Sequence, residues 1–501
     1  MGIKNYLKNL ILGGLLLSVS FLSAQTQDEY ITGDVFQAWE GGREYFAKWT
    51  NGPTTDPSVF PIGIWYQDPK NAGSYRNMGI DFFMYANSGL NLYPLTTNGM
   101  TIIPTTDAMT YAGPYALYGS TVTTWINPND ELDMGSVPMT PSVVINDYNS
   151  TVAKDPTRPI MINVGPCVSL DNCAGRGSRS THPEDYYEYF KGADFLSFDV
   201  YPMNTYINDP TLSPIFANAV AGKLNIIGIG VDRMRMYSNY KKPIVAILEC
   251  TNIFSDTRCQ LTPAHIKPEA WIAIIHGVRS IVYFCHTMEP LVETAVLNNA
   301  TMVAAIKTNN ALIAENASIL NSQTVDNATT VFSSNMSITV KQMTKRNNGY
   351  TYIYAVAEQS GNTNATFTLR GFTGTSTVEV VGENRTLTSN NGVFTDAFSN
   401  YAVHIYKVST PGKIQSAVVE VKADSKDFII HQSAESGDIN YDCIEPIQKL
   451  EVFTINGSKI LNKVSASEQG TIQLNNSHKN EVLIVRAMTK NNTYVRKFML
   501  N

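Results

Sequence analysis

Long apolar runs are scarce in this chain of 501 residues. Beyond the first two dozen residues, no stretch reaches the roughly 18 consecutive apolar residues that a membrane-spanning helix needs. Charge is thin as well. Only 16% of residues are charged and the net charge is −6, which argues against a nucleic-acid partner. Histidine and cysteine are few, with no Cys-x-x-Cys and no His-x-x-x-His pair, so a structural zinc site has no support. His265, His276 and His286 are spread out, and His276 lies inside a helical pattern, so they make no metal triad. Gly-x-Ser-x-Gly is absent, and Gly175-x-Gly177 lacks a third glycine and opens no helix. These gaps exclude the usual hydrolase elbow and the dinucleotide fingerprint. No metal and no cofactor is expected.

What is present is apolar bulk. Hydrophobic residues make up 43% of the chain, enough for a large core, and the length suits about three domains. At the start, Lys4 and Lys8 precede the apolar run Leu10–Leu22, and Ser23-Ala24 follow. A basic region, a short apolar region and small residues are the pattern of a signal peptide over 1–24, so the mature protein is expected to be secreted or held at the cell surface, with no membrane span. The six cysteines fit an oxidising compartment. Local disulfides Cys167–Cys173 and Cys250–Cys259 are possible, with Cys285 and Cys443 left over.

Between about residues 60 and 320, short apolar runs alternate with amphipathic segments. The runs are Pro61–Tyr66, Ile80–Tyr85, Met100–Pro104, Thr121–Ile126, Pro159–Val164, Phe195–Tyr201, Ile244–Glu249 and Ser280–Cys285, with helices expected between several of them, as at Pro183–Lys191 and Pro268–Val278. Eight strands over this length predict an α/β fold, a (β/α)8 TIM barrel over 25–322, in preference to an open doubly wound sheet. From about 325 the pattern turns to short alternating runs split by Asn, Gly and Ser, which predicts an antiparallel β-sandwich over 323–411. A small C-terminal β domain is expected over 412–501.

A barrel gathers its chemistry where the strands end. Run seven ends in Glu249, run four leads into Asn129-Asp130-Glu131, and run six ends in Asp199 ahead of Tyr201. Carboxyl groups are costly to desolvate, and glycosidic bond cleavage is one reaction that needs a pair of them. Each acid could instead cap a helix or pair with an arginine, and Asp130 or Asp133 competes with Glu131. After run five, Arg176, Arg179 and His182 form a cationic loop that suits a sulfated or carboxylated sugar; these residues could also pair with Glu184 and Asp185. Trp65, Tyr66, Trp125 and Tyr201 could stack on sugar rings, and Asn163 and His286 complete the expected substrate-binding set with Asp130. A non-catalytic surface binding module is the competing reading.

Two resemblances sharpen these expectations. Phe60-Pro61-Ile62-Gly63-Ile64-Trp65, Asn129-Asp130-Glu131, Ser197-Phe198-Asp199-Val200-Tyr201-Pro202, Leu248-Glu249-Cys250 and Ile275-His276-Gly277 resemble the clan A retaining glycoside hydrolases, which place acids on strands four and seven. The resemblance implies Glu249 as nucleophile and Glu131 as acid/base, although Asp130 stands where that clan usually has Asn. The chain is more loosely similar to the family 168 endo-fucanases, in which Asp199 and Glu249 would be the working pair. Those enzymes imply an endo-acting hydrolase with a sulfated fucan as substrate, and a neutral β-1,3-glucan is the alternative. The strands Leu450–Gly457, Glu481–Arg486 and Tyr494–Phe498 resemble the C-terminal sorting domain of the Bacteroidetes type IX secretion system, which implies the type IX secretion machinery as a partner.

Overall fold

The structure, a computed structural model, describes residues 29–42, 44–85, 90–110, 119–134, 138–170, 182–204, 221–253, 260–411, 415–416, 427–432, 439–454, 459–474, 482–489 and 493–499. The proposed signal segment, Arg176, Arg179, Cys173 and Cys259 lie outside them. Among the described residues, no helix is long and apolar enough to cross a membrane.

The first unit is built on eight strands: β1 (Ile62–Trp65), β2 (Phe82–Met84), β3 (Thr101–Ile103), β4 (Trp125–Ile126), β5 (Ile160–Val164), β6 (Phe195–Asp199), β7 (Ile244–Glu249) and β8 (Ser280–Phe284). They form one sheet in the order β3-β2-β1-β8-β7-β6-β5-β4. Parallel bridges Ile102↔Val122 and Thr105↔Ile126 join its two edges, so the sheet closes as a TIM barrel and the open-sheet alternative fails. Helices α1 (Ala72–Arg76), α2 (Tyr93–Thr97), α3 (Pro141–Lys154), α4 (Asp185–Tyr189), α5 (Asn225–Tyr237), α6 (Pro263–His276) and α7 (Ala300–Leu320) fall between or after the strands. Helix α6 begins earlier than the expected Pro268, because Thr262 and His265 cap its first turn, Thr262 N donating to His265 Nδ1 over 3.0 Å.

Strand alternation decides which side chains reach the lumen. On β7, Ile244, Ala246 and Leu248 pack in the layer between strands and helices, whereas Val245 and Ile247 join the barrel interior with Met84, Ile103, Met161, Phe195 and Val282. The same alternation turns Asn163 of β5 and Asp199 of β6 inward. Gly63 is required in this interior, since a Cβ there would stand 2.5 Å from the Phe82 ring. The N-terminal end of the barrel is plugged by aromatic rings: Tyr45, Phe46 and Trp49 lie 6.0, 5.3 and 5.7 Å from Phe195. The C-terminal end is where chemistry can occur.

The second unit is antiparallel throughout. Strands β9 (Thr329–Ser333), β10 (Val340–Asn347), β11 (Tyr350–Ala357), β12 (Thr363–Leu369), β13 (Thr375–Val380), β14 (Arg385–Asn390), β15 (Val393–Phe398) and β16 (Val403–Ser409) form one continuous sheet around Phe367, Phe394, Phe398 and Tyr406. It is fixed to the barrel by Trp271 of α6 stacked on Tyr354 of β11, 5.5 Å apart, and by His276, which bridges Asp232 and Glu358. The third unit holds β17 (Phe428–Gln432), β18 (Ile439–Thr454), β19 (Lys459–Ile472), β20 (Val482–Met488) and β21 (Thr493–Met499), also antiparallel. Val35 of the N-terminal segment packs on its Phe453 and Ile484.

Candidate active site

Three residues that are not glycine adopt left-handed backbone at the mouth of the barrel: Tyr66 (φ 44°) just after β1, Tyr85 (φ 59°) just after β2, and Glu131 (φ 46°) in the loop after β4. Such conformations cost about 1–3 kcal/mol each and gather at functional sites. Glu131 is held there by tight packing. A Cβ on Gly165, at the end of β5, would collide with Met134 and stand 3.3 Å from the Glu131 carboxyl carbon, so only glycine leaves that carboxyl its place.

Glu131, Asp130, Asn163 and Asp199 form one cluster. Asn163 Nδ2 donates to Asp130 Oδ1 (2.8 Å) and to Asp199 Oδ1 (3.0 Å), while its own Oδ1 accepts from Ser197 Oγ (2.8 Å). The amide therefore ties the acids of β6 and the β4 loop together. Burial, then the charge and hydrogen bond of Asp199, hold the Glu131 carboxyl well above the usual range. Asp199 is pushed up to about 7 by burial and by Asp130, against the pull of its bonds to Glu131 and Asn163. Burial and the acids beside it thus favour the neutral form of Glu131. Asp133 has a structural job instead: fully buried, it accepts from Gly165 N (2.7 Å) and Tyr186 Oη (2.6 Å).

Glu249 is 0% exposed. Its Oε1 accepts from Met203 N (2.6 Å) and its Oε2 from Asn204 Nδ2 (2.5 Å), both on the loop after β6. Burial pushes it up to about 8 despite those donors. The loop is pinned in turn: Asn204 Nδ2 donates to Thr251 O and its Oδ1 accepts from Ile253 N, each at 2.7 Å. Among the described residues, none of Asp130, Glu131, Asp199 and Glu249 has an arginine or lysine ion-pair partner within 4 Å.

Rings surround this group. Trp65 and Tyr85 lie 4.4 Å apart, Tyr201 and Phe284 5.4 Å, Phe284 and His286 5.2 Å, and Tyr66 and His286 6.0 Å. His286 is buried with Nε2 3.1 Å from Trp65 O, and burial lowers its pKa, so it is a neutral wall residue. Trp125 lies elsewhere. β4 turns it into the strand–helix layer, where Nε1 donates to Asp155 Oδ2 over 2.8 Å, and it is no sugar platform. His182 pairs with Glu184 at 2.6 Å on the surface. Cys250 is a buried free thiol 3.1 Å from Phe284 O, facing the helices, which rules out the Cys250–Cys259 disulfide. Cys167 is disulfide-bonded. Among the described residues, no group of three His, Cys, Asp or Glu side chains is placed to hold a metal ion.

No family model and no curated protein matches this chain. Solved structures do resemble it. A family 39 glycoside hydrolase from Bacteroides cellulosilyticus WH2 aligns over 72% of this chain and 83% of its own, at 14% identity and a TM-score of 0.42. A GH42 β-galactosidase from G. stearothermophilus aligns over 70% and 98%, at 8% and 0.41. An α-L-arabinofuranosidase from Thermotoga maritima aligns over 77% and 98%, at 10% and 0.38. At such scores the likeness carries no weight in assigning a function, which has to be argued from the mouth itself.

Two residues there escaped sequence reasoning. Tyr85 packs on Trp65, donates to Asn127 O over 2.9 Å and faces Asp130, Asp199 and Glu131; its position just past β2 was the available signal. Glu269 of α6 is 1% exposed and meets Glu249. A lone acid amid Ile266, Ala270, Trp271 and Ala273 was the signal for it.

Proposed function

We propose that this chain is an exported glycoside hydrolase that cuts a polysaccharide within its length. One observation carries the reading: Asp130 and Asp199, tied through Asn163, crowd with Glu131 at the C-terminal end of the barrel, a grouping that favours the neutral acid which protonation of a glycosidic oxygen needs. Acid and nucleophile of a retaining enzyme stand ~5–5.5 Å apart, farther than two hydrogen-bonded carboxyls. Asp199 therefore acts with Glu131 as one proton-holding unit, and the nucleophile is a separate carboxyl.

We assign that role to Glu249, on the strand beside Asp199, in keeping with the clan A resemblance. Substrate must draw the 201–204 loop off one Glu249 oxygen. The freed carboxylate then attacks the anomeric carbon while Glu131 protonates the leaving oxygen, and water, deprotonated by Glu131, releases the glycosyl-enzyme. Ionisation of Glu249 sets the rising limb of the pH profile, and loss of the Glu131 proton sets the falling limb. The test is a screen of neutral and sulfated polysaccharides, read by product size, with the parent, Glu131→Gln and Glu249→Gln. Both variants should lose at least ~100-fold in turnover. The reading fails if no polysaccharide is shortened, or if Glu249→Gln works near the parental rate.

The lead substrate is a sulfated fucan, supported by the sequence pattern that sets Arg176 and Arg179 between the β5 and β6 segments and by the looser family 168 resemblance. Arg176→Ala with Arg179→Ala should raise KM on that polymer, and added salt should mimic the loss. A neutral β-1,3-glucan is the second reading, favoured by the His182–Glu184 contact, which turns His182 toward a neighbouring acid on the surface. Export through the type IX machinery is proposed on the N-terminal and C-terminal sequence patterns alone.

A further inference from the structure

The mouth does not account for Glu269. This side chain sits in the middle of α6, 1% exposed among apolar neighbours, and neither carboxyl oxygen receives a hydrogen bond from an ordinary donor. The polar group it meets is the carboxyl of Glu249. Two carboxylates cannot be buried side by side without a cation, because each already bears a large desolvation cost and each repels the other. A proton must lie between them. Both Glu249 oxygens accept, from Met203 N and Asn204 Nδ2, so the member free to carry the proton outward is Glu269.

We propose that Glu269 is a positioning residue: as a neutral acid it donates its proton to Glu249, and this third donor fixes Glu249 and, through Met203 N and Asn204 Nδ2, the 201–204 segment bonded to it. The inference rests on the role proposed for Glu249, since the loop it secures carries Tyr201 into the aromatic wall. Other titratable groups facing the pair are Cys250 at the end of β7 and Tyr283 of β8. Burial pushes both up, so they stay neutral and leave the proton between the two glutamates.

The test reads the loop without any substrate. Amide exchange of the peptide spanning 200–204 is followed by mass spectrometry in the parent, Glu269→Gln and Glu269→Met across pH 6–9. Gln supplies an N–H in place of the acid proton, so its exchange and pH dependence should match the parent. Met supplies none. Its exchange should be at least ~10-fold faster, with the Glu249-linked midpoint moved up by about one pH unit, because a donor to the charged form is gone. On a polysaccharide that the parent cleaves, Glu269→Met should lower kcat more than it raises KM, because Glu249 is no longer fixed for attack. Parent-like exchange in Glu269→Met overturns the proposal. So does a midpoint that falls in Glu269→Gln, which would mean that Glu269 had been the ionised member. Should Glu269→Met fail to fold, Glu269→Ala takes its place. Since exchange needs no turnover, it can stand or fall independently of the glycosidase reading.

Discussion

Asp199→Asn separates the energetic cost of the acid cluster from its chemistry. In the folded protein burial and Asp130 push Asp199 up to about 7, against 3.8 for an open aspartate. Between those values the folded chain holds a proton that the unfolded chain has shed. A group raised in this way supports folding fully below about pH 3.8, and that support is lost as pH climbs to about 7. Three units at ~1.4 kcal/mol each set a ceiling of about 4 kcal/mol, and local relaxation brings the working figure nearer ~2 kcal/mol. Asparagine keeps Oδ1 for Asn163 Nδ2, now 3.0 Å away, and offers Glu131 an N–H where a charge had been. Urea unfolding of parent and variant at pH 4 and pH 8 should show the difference shifting by about 2–4 kcal/mol in favour of the variant at the higher pH, several degrees in Tm. Activity should move the other way. Without the Asp199 charge Glu131 loses its proton earlier, so the alkaline limb of the pH profile retreats toward neutrality. A stability difference equal at pH 4 and pH 8 would refute the reasoning, since packing has no cause to follow this titration.

Gly165→Ala should cut turnover by at least ~10-fold through displacement of Glu131, with a smaller effect on binding; unchanged kinetics would show that the Glu131 carboxyl is not held by that contact. His276 lies between Asp232 and Glu358 at 3.0 and 2.8 Å; burial alone would lower its pKa, and the two carboxylates outweigh that. Its support for folding is full below about pH 6.5 and is lost as pH rises through the raised value, so His276→Gln should cost about 3 kcal/mol at pH 6 and flatten Tm between pH 6 and 9. A chain ending at Thr410 should still cleave the substrate but lose about 2 kcal/mol, because Val35 loses Phe453 and Ile484 and Asp34 O loses Arg486 Nη1, 3.1 Å away; loss of cleavage by a folded truncation would place the third unit in the catalytic machinery.

The barrel was legible because its central strands are buried on both faces. Ile160–Val164 and Ile244–Glu249 read as nearly unbroken apolar runs, and a carboxylate ending such a run stands out. That same two-sided burial hides which way a side chain turns. Trp125 reads as a face for a sugar ring and Cys250 as a partner for Cys259, yet both face the helices, because an apolar strand carries no polar alternation to mark its inner face. Glu131 was legible by position but not by conformation, since nothing in Asn129-Asp130-Glu131 announces a positive φ; Gly165, distant in sequence, makes room for the carboxyl. Tyr85 and Glu269 were missed for a related reason. Tyr85 gains meaning only when β2 sets it against Trp65 and the acid cluster. Glu269 stands out in sequence only as an acid among apolar residues, with no role, until α6 lays it on Glu249. In each case the chemistry belongs to a pair whose members lie on different strands and helices, and a linear reading sees one member at a time. The acids found first are those whose own strand explains them; the residues that tune and hold those acids appear only when the barrel closes.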